Sequence, residues 1–179
     1  LSTTYTCASH DYLTNDLTIK FNLEISEQKN DEIAILVVTT GGISNIEISQ
    51  LNRTFEIAVE NLTNFDIKDR TYIDNALKKR GKEYLDVCQD VACRIEIGTE
   101  LKVDNFLFVE LSYSNAQYYC YMSMHNIQEQ QTEKPDDFSL DIETLNIKNK
   151  VNLLKAEIPK WVKEYWLSLN PGKVTFIAA

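Results

Sequence analysis

Four cysteines and two histidines are the residues of this 179-residue chain whose types could do chemistry. The sequence Cys88-Gln-Asp-Val-Ala-Cys93 places four residues between two of the thiols. This spacing is wider than that of a thioredoxin-type redox pair or of the paired zinc arrangements, which leave two residues between the cysteines. His10 and His125 are the only imidazoles, and neither lies in a recognisable motif. We therefore predict no metal site and no cofactor.

A local disulfide between Cys88 and Cys93 fits their spacing better than a metal site. Closing so short a loop stabilises by only about 2 kcal/mol in the chain-entropy model, so the bridge would pin a turn to the start of a helix. The spacing leaves open the alternative of two free thiols in a cytosolic protein. Cys120 lies on the apolar side of an alternating strand and points inward, and it would reach Cys7 if the N-terminal arm packs there. This predicts a second bridge, between Cys7 and Cys120.

Motifs for nucleotide binding and nucleophilic catalysis are incomplete. Gly41-Gly42 lies between a buried strand and a capped helix, where phosphate loops occur. The chain has neither of the glycine-rich nucleotide fingerprints nor the GxSxG elbow of a hydrolase. The sequence thus predicts no catalytic and no cofactor-binding residues.

Two aromatic groups could contact a ligand or a partner. Trp161, Tyr165 and Trp166 recur along one edge of the last helix, as core residues with a partly exposed rim or as a docking patch for a partner protein. Four tyrosines of two neighbouring strands could stack on sugars or bases, although tyrosine is also common in strands for packing alone. These tyrosines are Tyr113, Tyr118, Tyr119 and Tyr121.

The charge balance narrows the range of partners. The chain has 27 acidic and 18 basic residues and a net charge of -9, which argues against nucleic acid because phosphate binding needs a basic surface. Its longest apolar runs, Ile33 to Val38 and Phe106 to Val109, are the length of strands rather than of membrane helices.

The elements that must position these residues alternate between strands and helices. Residues 17–25 alternate like an edge strand, and Ile33 to Val38 is a continuous apolar run typical of a central strand. Ser44 and Glu47 form a capping box for a first helix. Residues 65–69 form a short strand, Thr71 with Asp74 opens a second helix that ends at Gly81, and Asp90 caps a third. We expect Val91, Ile95, Gly98 and Leu101 to share the buried face of that third helix.

The second half of the chain predicts a strand meander and a final helix. Phe106 to Leu111 is a buried strand, and a turn at Ser114-Asn115 leads into a strand from Tyr118 to Ile127. Residues 128–137 are polar and predict a surface loop, after which Phe138 starts another strand. A last amphipathic helix contains Pro159, which we expect to kink it or to begin a new turn. The fold class is therefore α/β, as a single domain with a mixed β-sheet and flanking helices.

Three segments carry a resemblance to a known family. They are Ile33-Ala34-Ile35-Leu36, the run from Phe65 to Leu77, and the run from Cys88 to Asp104. Their order and local patterns, which include Asp-x-x-Leu, the cysteine pair and Glu-x-Gly, resemble the TolB amino-terminal-like and CsgG-like α/β domains of bacterial envelope proteins. The resemblance covers about residues 33 to 127. It divides the chain into an N-terminal extension with an edge strand (1–32), the α/β domain (33–170) and a tail (171–179).

The resemblance implies a non-catalytic, exported protein. Such domains serve in assembly with other envelope proteins, in the periplasm or at the outer membrane, often on a lipid-anchored precursor. It implies that a signal peptide has been removed, that the partners are envelope proteins or further copies of the chain, and that a lipid anchor is the only membrane contact. It also favours the bridge between Cys88 and Cys93 over free thiols. The alternative function is a small-molecule or carbohydrate-binding module, or a hydrolase without a recognisable motif.

Overall fold

The computed structural model describes residues 30–40, 43–81, 90–141 and 150–170. The strand predicted at residues 17–25 lies outside these ranges. The elements, in chain order, are β1 (Glu32–Thr40), α1 (Asn45–Leu62), β2 (Asp66–Ile67), α2 (Arg70–Arg80), α3 (Val91–Leu101), β3 (Asn105–Ser114), β4 (Gln117–Asn126), β5 (Gln131–Thr132), β6 (Asp136–Asp141) and α4 (Lys150–Leu169).

The described strands form one mixed sheet in the order β2-β1-β3-β4-β5, and β6 also pairs with β4, next to β5. β1 runs parallel to β2 and to β3, whereas β4 pairs antiparallel with β3, β5 and β6. The predicted α/β domain with a mixed sheet is confirmed. The apolar run of β1 lies between two parallel neighbours, as its composition predicts.

Helices cover both faces of the sheet. Successive side chains of a strand point to opposite faces, so β1 directs Ile33, Ile35 and Val37 to one side and Ala34 and Leu36 to the other. The first set packs with α1 and α4 in the larger core, and the second packs with α2 and α3 in the smaller core. A strand covered on both sides needs an uninterrupted apolar run, and β1 has one.

Side-chain caps define where the first two helices begin. The capping box of α1 is confirmed, because the Glu47 N–H donates to Ser44 Oγ at 3.4 Å and the Ser44 N–H donates to Glu47 Oε2 at 2.7 Å. The prediction for α2 is wrong by two residues: Asp69, not Thr71, is the N-cap, and its Oδ1 accepts from the Tyr72 N–H at 3.0 Å. Asp69 is the short acceptor that lies outside the helix, where an N-cap must be.

Glycine ends α2 as predicted. Gly81 has a φ of +84°, a backbone conformation that side-chain-bearing residues rarely adopt. Asp90 caps α3 as predicted, since its Oδ1 accepts from the Cys93 N–H at 2.7 Å.

The buried face of α3 differs from the predicted one. Its buried residues are Arg94, Ile97, Gly98 and Leu101, whereas Val91 is 43% exposed. Gly98 does let the helix approach the sheet closely, because a Cβ placed there would lie 2.7 Å from Ile127 Cγ1.

A tight hairpin joins β3 and β4. Asn115 and Ala116 form its turn with φ values of 50° and 60°, between the paired Ser114 and Gln117, one residue later than predicted. Two consecutive positive φ angles match the twist of two-residue hairpins.

Two later segments also depart from the predictions. The polar segment 128–137 contains β5 and the first two residues of β6, which the loop prediction missed. Helix α4 continues without a break from Lys150 to Leu169, with Pro159 inside it.

Candidate functional site

A chain of buried polar side chains connects α3, β4 and β5. Arg94 Nη1 donates to Ser123 Oγ at 3.1 Å, and Ser123 Oγ lies 3.0 Å from His125 Nε2. His125 Nδ1 lies 2.9 Å from Thr132 Oγ1. The Arg94 guanidinium also stacks over the Phe108 ring, 3.8 Å from its centre.

The direction of these hydrogen bonds follows from Arg94, which can only donate. Ser123 Oγ accepts from Arg94 Nη1 and donates its own hydrogen bond to the unprotonated His125 Nε2, so Nδ1 carries the ring proton and donates to Thr132 Oγ1. Burial, and then the positive charge of Arg94, lower the pKa of His125 to about 4. The imidazole is therefore neutral at physiological pH, as this chain of donors and acceptors requires.

The contact between Ser123 and His125 has the composition of a nucleophile and its base, but both residues are 0% exposed. A substrate has no route to the Ser123 hydroxyl in this arrangement. We assign the network a structural role, since it satisfies polar groups beneath α3. The sequence pattern indicates only a plain strand or surface histidine at His125 and does not reveal its partners. The signal for Arg94 is its spacing of three, four and seven residues from the buried positions of α3.

A second set of side chains seals the edge of β1 beyond β2. β2 pairs with β1 only at Glu32 and Ile33. Further along, the Val37 N–H donates to Asn52 Oδ1 at 3.3 Å, and Arg70 Nη1 donates to the Ile35 carbonyl at 3.2 Å and to Asn52 Oδ1 at 3.1 Å. These bonds occupy backbone groups that could otherwise pair with a foreign strand. The sequence analysis missed this feature, because side chains at distant positions supply the bonds.

The cysteines are only partly within the described residues. Cys93 lies in the first turn of α3 and packs against the smaller core, whereas its predicted partner Cys88 lies outside those residues. That bridge stays a prediction. Cys120 is a free thiol that is 1% exposed, so the second predicted bridge is not formed in this structure. Its side chain is enclosed in the larger core, and burial raises the pKa of the Cys120 thiol. Cys7, like His10 and Gly41-Gly42, lies outside the described residues.

The four tyrosines do not form one platform. Tyr118 is buried and packs with Tyr113 at a ring distance of 5.0 Å on the side of the larger core. Tyr119 and Tyr121 follow the opposite alternation of β4, and Tyr121 packs against the smaller core. Strand alternation therefore divides the predicted stacking surface between the two faces of the sheet.

Two of the three aromatic residues expected at a partner surface are core residues. Trp161 is 5% exposed and stacks with Phe138, and Tyr165 is 2% exposed. The Tyr165 hydroxyl accepts from the Met124 N–H at 2.7 Å, which ties α4 to the sheet. Trp166 is half-buried and contacts Phe65 edge to face. The prediction of a docking patch is therefore wrong for Trp161 and Tyr165, because both lie on the side of α4 that faces the sheet.

An apolar groove lies between α1 and α4 on the outer side of the larger core. Its volume is about 310 Å³. Ile57 of α1 lines one side of the groove and is 42% exposed. Pro159 and Lys163 of α4 line the other side. Such a groove can take an apolar side chain, and it offers an amide and an ammonium group at Asn61 and Lys163.

Within the described residues, no cluster of three or more histidine, cysteine, aspartate or glutamate side chains is arranged to hold a metal ion. In the same part of the chain, no helix combines the length and apolar character that a membrane crossing requires.

Comparison with known proteins identifies the fold but not a family. No family model matches the sequence, and no curated protein matches it significantly. Among solved structures, the lipoprotein GNA1162 from Neisseria meningitidis is similar with a TM-score of 0.54 and 10% identity, over 78% of this chain and 99% of that one. The LpoB C-terminal domain from Salmonella enterica has a TM-score of 0.49 and 13% identity, over 63% and 83% of the two chains. TolB from Acinetobacter baumannii has a TM-score of 0.49 and 10% identity, over 79% of this chain and 29% of TolB.

The likeness to GNA1162 shows that this chain shares the fold of that protein. The other two likenesses are too loose to carry an argument. The CsgG-like part of that resemblance stays a prediction. At these identities, the likeness extends to the fold alone.

Proposed function

We propose that this protein is a non-catalytic module of the bacterial envelope that binds other envelope proteins. The observation that carries the proposal is the fold shared with the lipoprotein GNA1162, which extends over almost the whole of that protein. The resemblance of residues 33–127 to TolB-like envelope domains supports the same assignment. We further propose that the protein is exported and lies in the periplasm or at the outer membrane.

The chemistry of the described residues agrees with a binding role. The serine and histidine that contact each other are fully buried in a network that stabilises the domain. The edge of β1 is closed by Asn52 and Arg70, and β6, at the other side of the sheet, carries aspartates at positions 136 and 137. Edges protected in these ways resist strand addition, which leaves helical surfaces for partners.

The bridge between Cys88 and Cys93 belongs to this proposal, because disulfides persist in oxidising compartments such as the periplasm. A bridge at the entry to α3 would join the segment that precedes Asp90 to the start of the helix. It also provides a chemical marker of export that is independent of any partner.

Fractionation of the native host tests the location directly. Cells are treated with a thiol-blocking reagent before lysis, and the periplasmic, membrane and cytoplasmic fractions are compared by immunoblot. We expect the protein in the envelope fractions, with the thiols of Cys88 and Cys93 open to a second label only after reduction. A cytoplasmic protein with both thiols labelled in the first step would refute export.

Cross-linking in intact cells tests the binding role. We expect defined adducts with other envelope proteins, identified by mass spectrometry and lost when the cells are lysed and diluted before cross-linking. An exported protein that forms no adducts would refute the interaction module while leaving the location intact.

A further inference from the structure

The groove between α1 and α4 has an apolar wall that continues along α4. Pro159, Lys163 and Leu167 follow each other at intervals of four residues, so they lie on one stripe of the helix. Leu167 is 42% exposed, as is Ile57 across the groove. The stripe is therefore apolar at both ends, with a cation between them.

Pro159 removes one backbone hydrogen-bond donor from this stripe. Proline has no N–H, so Pro159 cannot donate to the carbonyl of Lys155, one turn earlier on the same face. In a regular helix that carbonyl would be occupied. Here position 159 supplies no donor to it.

The charge of α4, one of the two helices that border the groove, is opposite to that of the molecule as a whole. The chain has a net charge of -9, but α4 carries four lysines and two glutamates. Lys160 pairs with Glu157 at 2.7 Å, and Lys155 donates to the Gln50 side chain at 2.7 Å. Lys163, which borders the groove, has no hydrogen bond or ion pair with any described residue. Lys163 is the one charged residue among the described residues that line the groove, so an occupant that reaches the groove meets a positive charge.

We propose that the groove binds an acidic segment of a partner protein, which inserts one apolar side chain beside Ile57 and Pro159 and places a carboxylate against Lys163. This inference rests on the proposed function and specifies its binding surface. A second copy of the chain is a poorer occupant, because a symmetric contact through the groove would bring the two Lys163 side chains together.

Peptide display tests the inference while the partner itself is still unidentified. A random dodecapeptide library is panned on the full-length protein and counter-selected on the Ile57→Glu variant. We expect the enriched peptides to contain an aspartate or glutamate within four residues of a large apolar side chain. Enrichment of basic peptides, of peptides that bind Ile57→Glu equally well, or of none above background would overturn the proposal.

A synthetic peptide of the enriched sequence then measures the role of the cation. Lys163→Glu replaces an attraction by a repulsion and should weaken binding roughly tenfold, given the strength of exposed ion pairs. Lys160→Glu is the matched control, since it makes the same charge change on the same helix, and it should weaken binding by less than about threefold. Equal effects of the two variants would refute a specific role for Lys163. Circular dichroism and thermal melts establish that each variant is folded.

Two further measurements separate this inference from the alternatives. A wild-type dimer in analytical ultracentrifugation that dissociates in Ile57→Glu would assign the groove to self-association and overturn the proposal. Cellular cross-links that persist unchanged in Ile57→Glu and Lys163→Glu would leave the proposed function standing and refute only the surface.

Discussion

Acid should destabilise this protein through His125. The pKa of the buried imidazole is about 4 in the folded protein, against 6.5 for an ordinary histidine. Between these two values the unfolded chain binds a proton that the folded chain excludes. The free energy of unfolding therefore falls as the pH drops below 6.5, and this loss is complete below about pH 4.

The magnitude follows from the same two pKa values. Lowering the pH from 7.5 to 5 should reduce the free energy of unfolding by about 2 kcal/mol through His125 alone. The full difference between the two pKa values corresponds to about 3 kcal/mol. The structural cause is twofold. Protonation of Nε2 would direct an N–H at Ser123 Oγ, which already accepts from Arg94, and it would bury a second positive charge near the guanidinium.

Urea denaturation followed by circular dichroism measures the effect. The wild type and the His125→Gln variant are unfolded at several pH values between 7.5 and 5. The variant starts from a lower stability, because it disturbs buried hydrogen bonds worth about 1–3 kcal/mol. Every other titratable group is present in both proteins, so the difference between the two curves isolates His125. We expect the wild type to lose about 2 kcal/mol more than the variant over this range.

A matched control separates titration from general destabilisation. Thr132→Val removes the hydrogen-bond partner of Nδ1 but keeps the histidine, so it should lower stability at pH 7.5 and retain most of the pH dependence. Equal losses in the wild type and in His125→Gln would show that the imidazole is not the titrating group. The reasoning would then be wrong.

Three other predictions concern the cores and the sheet edge. Trp161→Ala should lower the free energy of unfolding by about 3–5 kcal/mol in chemical denaturation, clearly more than Trp166→Ala, because only Trp161 is nearly fully buried. Equal decreases in the two variants would contradict the placement of Trp161 in the core. Asn52→Leu should lower the free energy of unfolding by about 2–4 kcal/mol and accelerate hydrogen exchange at the Val37 amide, since it removes the acceptor of that N–H. An unchanged exchange rate at Val37 would exclude this hydrogen bond. The Cys120 thiol should react with a disulfide reagent only at the rate of unfolding, because it is 1% exposed; rapid labelling under native conditions would show that the strand opens locally.

Local patterns in the sequence predict most elements of the fold. The apolar run of β1 indicates a strand covered on both faces, and that is its position. Ser44 and Asp90 are recognisable as caps because a short polar side chain beside a helix start satisfies free N–H groups at short range. The residues of such a cap lie within one helical turn of each other, so they can be recognised from the sequence alone.

The buried face of a helix is harder to predict when a charged residue lies on it. On α3 the spacing of apolar residues predicts that Val91 and Ile95 lie on the buried face, but Arg94 lies on it instead. Its guanidinium stacks on Phe108 and donates to Ser123, so the sheet provides the compensation that makes its burial possible. Neither partner is near Arg94 in the sequence.

The candidate sites depend even more on tertiary contacts. The groove at Ile57 and Pro159 joins residues about a hundred positions apart, and no spacing rule relates them. The expected aromatic patch fails for the corresponding reason: helical periodicity shows that Trp161 and Tyr165 share a side, but not that this side faces the sheet.

By itself, the sequence determined the class of fold, the order of its main elements, most of its helix caps and the net negative charge. Each of these depends on neighbouring residues or on composition. Only the tertiary structure decided that Ser123 and His125 are sealed in a buried network, that Asn52 and Arg70 close the edge of β1, and that α1 and α4 leave an apolar groove beside Lys163. Burial and accessibility belong to the packed chain, because they depend on which distant segments cover a residue.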